Sequence, residues 1–362
     1  PDYFSPWLTA SITRFDRIKA NRGELVLPFA LGVHAGDWHV AAHWYKAWFD
    51  GVFGRATWPE WTKETNGWIF GNISFARPHF HYKMLPEKWF RRAIVHGMRH
   101  IQIWGTDSFA SCPVYYHPPD DVGGPEAFAR VNKWWRDRGG QIGYYVLPQG
   151  PSDWCFHPRS KHYFGTLWKN MPDWACPPKK KEGASWEWAL KHQRYARPDR
   201  RPYQPNMKRW KRELKALRQG KKAEPSGFES RTEVGDGDTA VPSLEDLEAI
   251  RGTRQAGYPW GYIPMSMYSE WWRNWMTFWV TDKYVRDWNC STVYLDTFHA
   301  QAYLPDYNPN FGLHGNGRGG YYRSKLAKRI RDEGLQYDKD WLPIMEMQCD
   351  AYQVYMAQQV GS

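Results

Sequence analysis

Pro125-Glu126-Ala127-Phe128-Ala129-Arg130-Val131-Asn132-Lys133-Trp134-Trp135-Arg136-Asp137-Arg138-Gly139-Gly140-Gln141-Ile142-Gly143-Tyr144-Tyr145-Val146-Leu147 reads as a helix, a stop and a strand. The helix spans 125–138, the glycine pair ends it as glycine does past a helix C-terminus, and 141–147 is a short apolar β-type run. The same unit recurs on both sides. Trp68 to Ile73 is a candidate first strand. Pro86 stands where proline is tolerated at a helix start, a helix over Glu87 to His96 follows, Gly97 stops it, and His100 to Trp104 is the second strand. Further on come a Trp-rich helix over Ser269 to Asp287, a fourth strand over Ser291 to Phe298, a helix over Tyr321 to Glu333 stopped by Gly334, and a fifth strand over Leu342 to Met347. Strands alternating with amphipathic helices are the pattern of βαβ units and a parallel sheet. The expected class is therefore α/β, a (β/α)8 TIM barrel. A closed barrel uses roughly 250 residues of strand and helix. This reading exhausts the chain at about five strands, so a barrel truncated after the fifth is expected.

Three other parts flank or interrupt that repeat. Residues 1–29, with runs such as Leu25-Val26-Leu27, suit the end of a preceding β domain. Residues 30–66 form an entry segment, in which Asp37 is an N-cap candidate ahead of Trp38, Ala41, Ala42, Trp44, Tyr45 and Trp48 at helical spacing. Residues 67–362 are the barrel, and residues 150–265 are too long for a plain connection. They read as an insertion after strand three, with an exposed helix over Met207 to Gln219 and a flexible Gly/Asp segment at Gly235 to Asp238.

The chain of 362 residues has a formal net charge of +11, yet much of the excess lies in one patch between Lys179 and Lys222. Such a patch suits a polyanion or a solvated helix face. There are 24 Trp and 22 Tyr, more than a core needs, and flat aromatic faces suit the C–H faces of sugar rings. Five Cys without CxxC spacing indicate neither a zinc ribbon nor a dense disulfide framework. No run approaches the length of a membrane span, so no membrane partner is expected. The N-terminus lacks the features of a signal peptide. An extracellular or periplasmic location is expected if a part preceding Pro1 carries one.

Four strand ends carry polar or aromatic groups: Trp104-Gly105-Thr106-Asp107, Tyr145 to Gln149, Asp296-Thr297-Phe298-His299, and Glu346 to Asp350. In a parallel barrel the carboxyl ends of all strands point to one face, so groups distant in sequence converge. Asp296 follows Val293-Tyr294-Leu295 and Glu346 follows Pro343-Ile344-Met345. An ionised carboxylate beside an apolar strand needs a partner or a function, although Asp296 could instead cap the turn. Glycoside cleavage requires two carboxyl groups flanking the scissile bond, one to give a proton and one negative. Asp296 as nucleophile and Glu346 as acid/base meet that demand. Asp107 and Asp350 are expected to bond substrate hydroxyls, with Trp104, Tyr145 and His299 lining the pocket.

Gly36-Asp37-Trp38 with Ala41-Ala42 and Tyr45-Lys46-Ala47-Trp48, Ile103-Trp104-Gly105, Val293-Tyr294-Leu295-Asp296, and Ile344-Met345-Glu346 with Asp350 together resemble one known group. It comprises bacterial barrel proteins related to endo-α-N-acetylgalactosaminidases and to the clan of α-galactosidase-like enzymes. The resemblance implies a nucleophilic Asp closing the fourth strand, here Asp296, and an acid/base after a later strand, here Glu346. It also implies retention at an α-linked sugar.

Other constellations say less. The glycines from Gly312 to Gly320 lack the lysine of a phosphate loop and read as a mobile loop near the site. His79, His81, His96 and His100 lack a metal-binding signature, so no metal and no cofactor are expected. No G-x-S-x-G elbow supports serine hydrolysis. The expected function is a retaining glycosidase acting on an oligosaccharide or polysaccharide. A non-catalytic carbohydrate-binding barrel is the first alternative. Nucleic-acid binding through the basic insertion, where Trp210 sits among Lys and Arg, is the second.

Overall fold

The computed structural model describes residues 32–72, 81–104, 118, 122–148, 150, 171–175, 191–195, 219, 265–296, 298, 306–312, 319–346, 352 and 354–359. The expected β-domain end at 1–29, most of the insertion, its helix over Met207 to Gln219 apart from Gln219, and the Gly235 to Asp238 segment lie outside them.

Among the described residues six strands form one sheet in the order of the chain: β1 (Trp68–Asn72), β2 (His100–Trp104), β3 (Gln141–Val146), β4 (Thr292–Leu295), β5 (Leu342–Glu346) and β6 (Ala357–Gln359). Every neighbouring pair is parallel. Crossovers between parallel strands are right-handed almost without exception. Sequential order therefore sets the described crossover helices over one face, leaving the other face for a different use. The sixth strand corrects the expected count of five. Ala357-Gln358-Gln359 offers no apolar alternation, and its pairing comes from β5, whose Ile344, Met345 and Glu346 stand beside it.

The crossover face holds the core. α4 (Gly124–Arg136) carries Pro125 in its first turn and buries Ala127, Phe128, Val131 and Trp135, a spacing that puts all four on one stripe. Asn132 lies on that stripe too and is satisfied twice: it accepts from Tyr144 Oη at 2.7 Å and donates to the Trp288 carbonyl at 2.8 Å. Gly139 has a φ of 78°, and a Cβ on Gly140 would lie 2.0 Å from the Trp135 ring, so both glycines of the expected stop are required. Earlier, a π-helical turn at Pro86–Phe90 passes into α3 (Arg91–Val95), and Phe90 stacks on Trp135 at 4.6 Å.

The Trp-rich helix is two structures in one. Its α-helical part, α5 (Glu270–Thr277), is capped by Ser269, which accepts from Trp272 N at 3.1 Å. It continues as a π-helix over Phe278–Asp287. Trp271, Trp272, Trp275 and Trp279 are all buried, and the rings of Trp271 and Trp275, and of Trp275 and Trp279, follow one another at 5.9 Å. The last long helix, α6 (Gly319–Tyr337), begins with Gly319-Gly320 inside it and runs through Gly334. Gly334 is thus not the expected stop. Its missing side chain makes room for Trp341, whose Nε1 would lie 2.2 Å from a Cβ there. Before the sheet, α1 (Trp38–Phe53) is capped by Asp37 as expected, with His39 N donating to Oδ1 at 2.9 Å. A short α2 (Trp61–Glu64) follows it.

Candidate active site at the carboxyl edge of the sheet

Side chains alternate between the two faces of a strand, and register partners in a parallel sheet stand side by side facing the same way. On the face away from the crossovers this makes rows. Phe70, Gln102, Gly143, Thr292 and Leu342 form one. Above it, Tyr145 pairs with Tyr294 and Tyr294 with Ile344. The Trp104 ring joins them, 4.3 Å from Tyr145 and 5.8 Å from Tyr294, with Phe70 edge-on to Trp104 at 4.8 Å. The result is an aromatic floor just below the carboxyl edge.

The next row up carries the carboxylates. Leu295 pairs with Met345, so one residue further along each chain Asp296 stands beside Glu346. Asp296 lies one residue past β4 rather than within the longer strand expected over 291–298, because the ladder ends there. Its N–H still donates to the Val146 carbonyl at 3.0 Å, which holds its backbone to the sheet. The Tyr145 hydroxyl donates to Asp296 Oδ2 in a short hydrogen bond. Tyr294 lies beneath both acids. Burial first, and then the charges of Glu346 and Asp296, push its phenol well above the usual tyrosine range.

Below the floor the same face turns polar. His100 is buried, and that burial alone pulls its imidazole down to about 3. Its Nε2 shares a 2.9 Å hydrogen bond with Thr292 Oγ1. Gly143 is needed here, since a Cβ would fall 2.0 Å from Thr292 Oγ1. Gln102 is fully buried, and neither amide atom has a hydrogen-bond partner among the described residues.

The segments after β3 and β4 are tied together by Asp306, a buried carboxylate not singled out from the sequence. It accepts from Ser266 Oγ at 2.5 Å, Tyr195 N at 3.2 Å and Asn308 N at 2.9 Å, while burial pushes its carboxyl up. Trp272 Nε1 donates to the Pro148 carbonyl at 3.2 Å, pinning the start of α5 to the end of β3.

Of the expected site residues, the structure brings together Asp296, Glu346, Tyr145 and Trp104. Asp107, His299 and Asp350 lie outside the described residues, as do positions 313–318 of the glycine-rich loop. Tyr294 and Phe70 were missed, although the two-residue alternation that sets Tyr294 on the face of Asp296 is present in the sequence. Among the described residues no group of three or more His, Cys, Asp or Glu could hold a metal ion. No described helix is long and apolar enough to cross a membrane.

No family model and no curated protein matches the chain. Solved structures similar to it include a maltogenic amylase from S. marinus, with a TM-score of 0.44, 13% identity, and coverage of 82% of this chain and 39% of that one. A debranching enzyme from Nostoc punctiforme, soaked with acarbose, has a TM-score of 0.42 at 10% identity, covering 83% and 54%. The α-galactosidase of Thermus thermophilus, in complex with p-nitrophenyl α-D-galactopyranoside, has a TM-score of 0.38 at 13% identity, covering 80% and 39%. The chain spans about half or less of the length of these structures. Likenesses so distant do not bear on residue roles.

Proposed function

We propose that the chain is part of a retaining glycosidase of the (β/α)8 type, with Asp296 as nucleophile and Glu346 as acid/base. The observation that carries this reading is the placement of the two carboxylates side by side, in one row, on one face, above an aromatic floor. Neighbouring strands lie about 4.8 Å apart. A retaining pair needs roughly 5 to 5.5 Å between its carboxyl groups, whereas an inverting pair needs roughly 6.5 to 9.5 Å. Adjacent strands suit the first and crowd the second.

In the first step Asp296 attacks the anomeric carbon as the glycosidic C–O bond breaks, and Glu346 gives its proton to the departing oxygen. In the second, Glu346 takes a proton from water, the water oxygen bonds to the anomeric carbon, and Asp296 leaves as carboxylate. Tyr145 orients Asp296 through its donated hydrogen bond and stabilises the negative charge there. Trp104 and Tyr294 offer flat faces to the sugar ring.

A screen of aryl α- and β-glycosides, with product configuration followed by NMR, tests this. Hydrolysis with retention is expected, α-linked substrates being preferred. Asp296→Asn and Glu346→Gln should each lower the rate by roughly 10³-fold. Near-normal rates in both variants would remove the assignment. Sugar binding by the wild type without any turnover would favour the carbohydrate-binding barrel instead.

A further inference from the structure

A recess lies at the other edge of the sheet. It is a cavity of about 450 Å³ between the C-terminal half of α1, the segment 54–58 and Val354. That segment runs beneath the amino ends of the strands. Trp61 Nε1, just after it, donates at 2.9 Å to the carbonyl of Asp340, two residues before β5, and Thr57 Oγ1 accepts from Arg331 on α6 at 2.6 Å. Asp296 and Glu346 are at the carboxyl edge, so this recess and the carboxyl pair lie at opposite ends of the sheet.

The lining combines rings with an organised charge cluster. Tyr45 and Trp58 are both more than one-third exposed, and the Phe49 ring is 6.0 Å from that of Tyr45. Asp50 Oδ2 accepts from Lys46 Nζ at 2.5 Å and from Arg55 Nε at 3.0 Å. Lys46 holds the Asp50 carboxyl below the usual range, with Arg55 adding to the effect. The hydrogen bonds of the cluster use only one carboxylate oxygen and one Arg55 nitrogen, so Asp50 Oδ1 and the two terminal guanidinium nitrogens have no partner among the described residues.

We propose that this cavity binds one neutral pyranose unit of a glycan. Vicinal hydroxyls both donate and accept, and a fixed carboxylate beside a guanidinium supplies the matching acceptor and donors. Aromatic faces take the apolar side of the sugar ring. A phosphate or sulfate reaching Arg55 or Lys46 would also come against the Asp50 carboxylate that already neutralises part of their charge, and a purely apolar ligand would leave Asp50 Oδ1 and the terminal guanidinium nitrogens unused. The volume lies within the range of small-molecule sites.

The test uses the Asp296→Asn chain, so that a binding experiment is free of turnover, with methyl glycosides of the common neutral hexoses and maltoheptaose as probes. Saturation-transfer NMR and calorimetry should detect at least one of them. Tyr45→Ala and, separately, Asp50→Asn should weaken that binding roughly tenfold, about the worth of one ring-stacking or charge-assisted contact. Near-UV circular dichroism should be little changed, since Tyr45 is exposed and Asp50, partly buried, is replaced by an isosteric side chain. Inorganic phosphate and glucuronate should not compete. The proposal is overturned if no probe binds, if both variants keep wild-type affinity, or if the anions displace the sugar. Binding lost in Trp104→Ala but kept in Tyr45→Ala would place the sugar at the carboxyl edge instead. Because the readout is affinity in a chain lacking the proposed nucleophile, failure here leaves the glycosidase reading untouched.

Discussion

Tyr145 joins two roles that the sequence shows only in part. Its place at a strand end marks it as a pocket residue, but its hydrogen bond to Asp296 follows from register, which pairs Tyr145 with Tyr294 and leaves Asp296 two residues further along the same face. Tyr145→Phe keeps the ring and removes only the donor. Turnover of an aryl glycoside should fall by roughly 10- to 100-fold, the cost of one charge-assisted hydrogen bond, while KM stays within about twofold because the stacking face survives. An unchanged kcat would show that the bond has no part in the chemistry. His100 permits a second residue-level prediction. In the unfolded chain it takes a proton near pH 6.5, but in the fold only near pH 3. Below pH 6.5 the unfolded state therefore binds more protons, and stability falls as the pH drops through that window. His192, whose burial lowers it to about 4, adds to the same slope. Denaturant midpoints measured from pH 7 to pH 4 should decline steadily, and His100→Gln should flatten much of the decline. The shift limits the effect of His100 to about 5 kcal/mol.

Elements were legible where local signals and packing agree. His100–Trp104 forms as expected because an apolar run follows a glycine stop, and Gly97 does take a positive φ of 65°. Where a glycine has a reason outside its own helix, the local signal misleads. Gly334 resembles a C-cap and is instead the seat of the Trp341 ring. Alanine in a helix interior ordinarily gains up to about 1 kcal/mol over glycine, but here it overpacks, at a typical cost of roughly 1–3 kcal/mol. Gly334→Ala should lower the melting temperature by several degrees. Gly51→Ala in α1, where nothing lies within 4 Å of the new Cβ, should leave the melting temperature unchanged or raise it. Equal effects of the two would refute the packing argument. The π-helix at Phe278–Asp287 was not legible, since its aromatic spacing fits an ordinary helix equally well.

At the scale of the molecule, sequential parallel order puts the helices on one face and leaves the other to the rows that end in Asp296 and Glu346. The alternation of strand and helix made that architecture readable from the sequence. The sixth strand was not readable, because pairing rather than composition creates it. β1 is an edge of the described sheet, and Trp68 and Phe70, on the face away from the crossover helices, are 36% and 42% exposed. Exposed apolar side chains on an edge strand invite association. The chain should self-associate with rising concentration and bind a hydrophobic dye, and Phe70→Lys should reduce both. Light scattering that does not respond to the substitution would mean that another surface is responsible.

The depth and surroundings of Tyr294 have one more consequence. A phenol that burial first, and then the two neighbouring carboxyl groups, keep from ionising holds its proton well past the usual tyrosine range. Anything resting on that ring meets a neutral hydroxyl, which can donate to a ring oxygen or accept from a hydroxyl in return. A charged phenolate, which could only accept, is not what a ligand finds there.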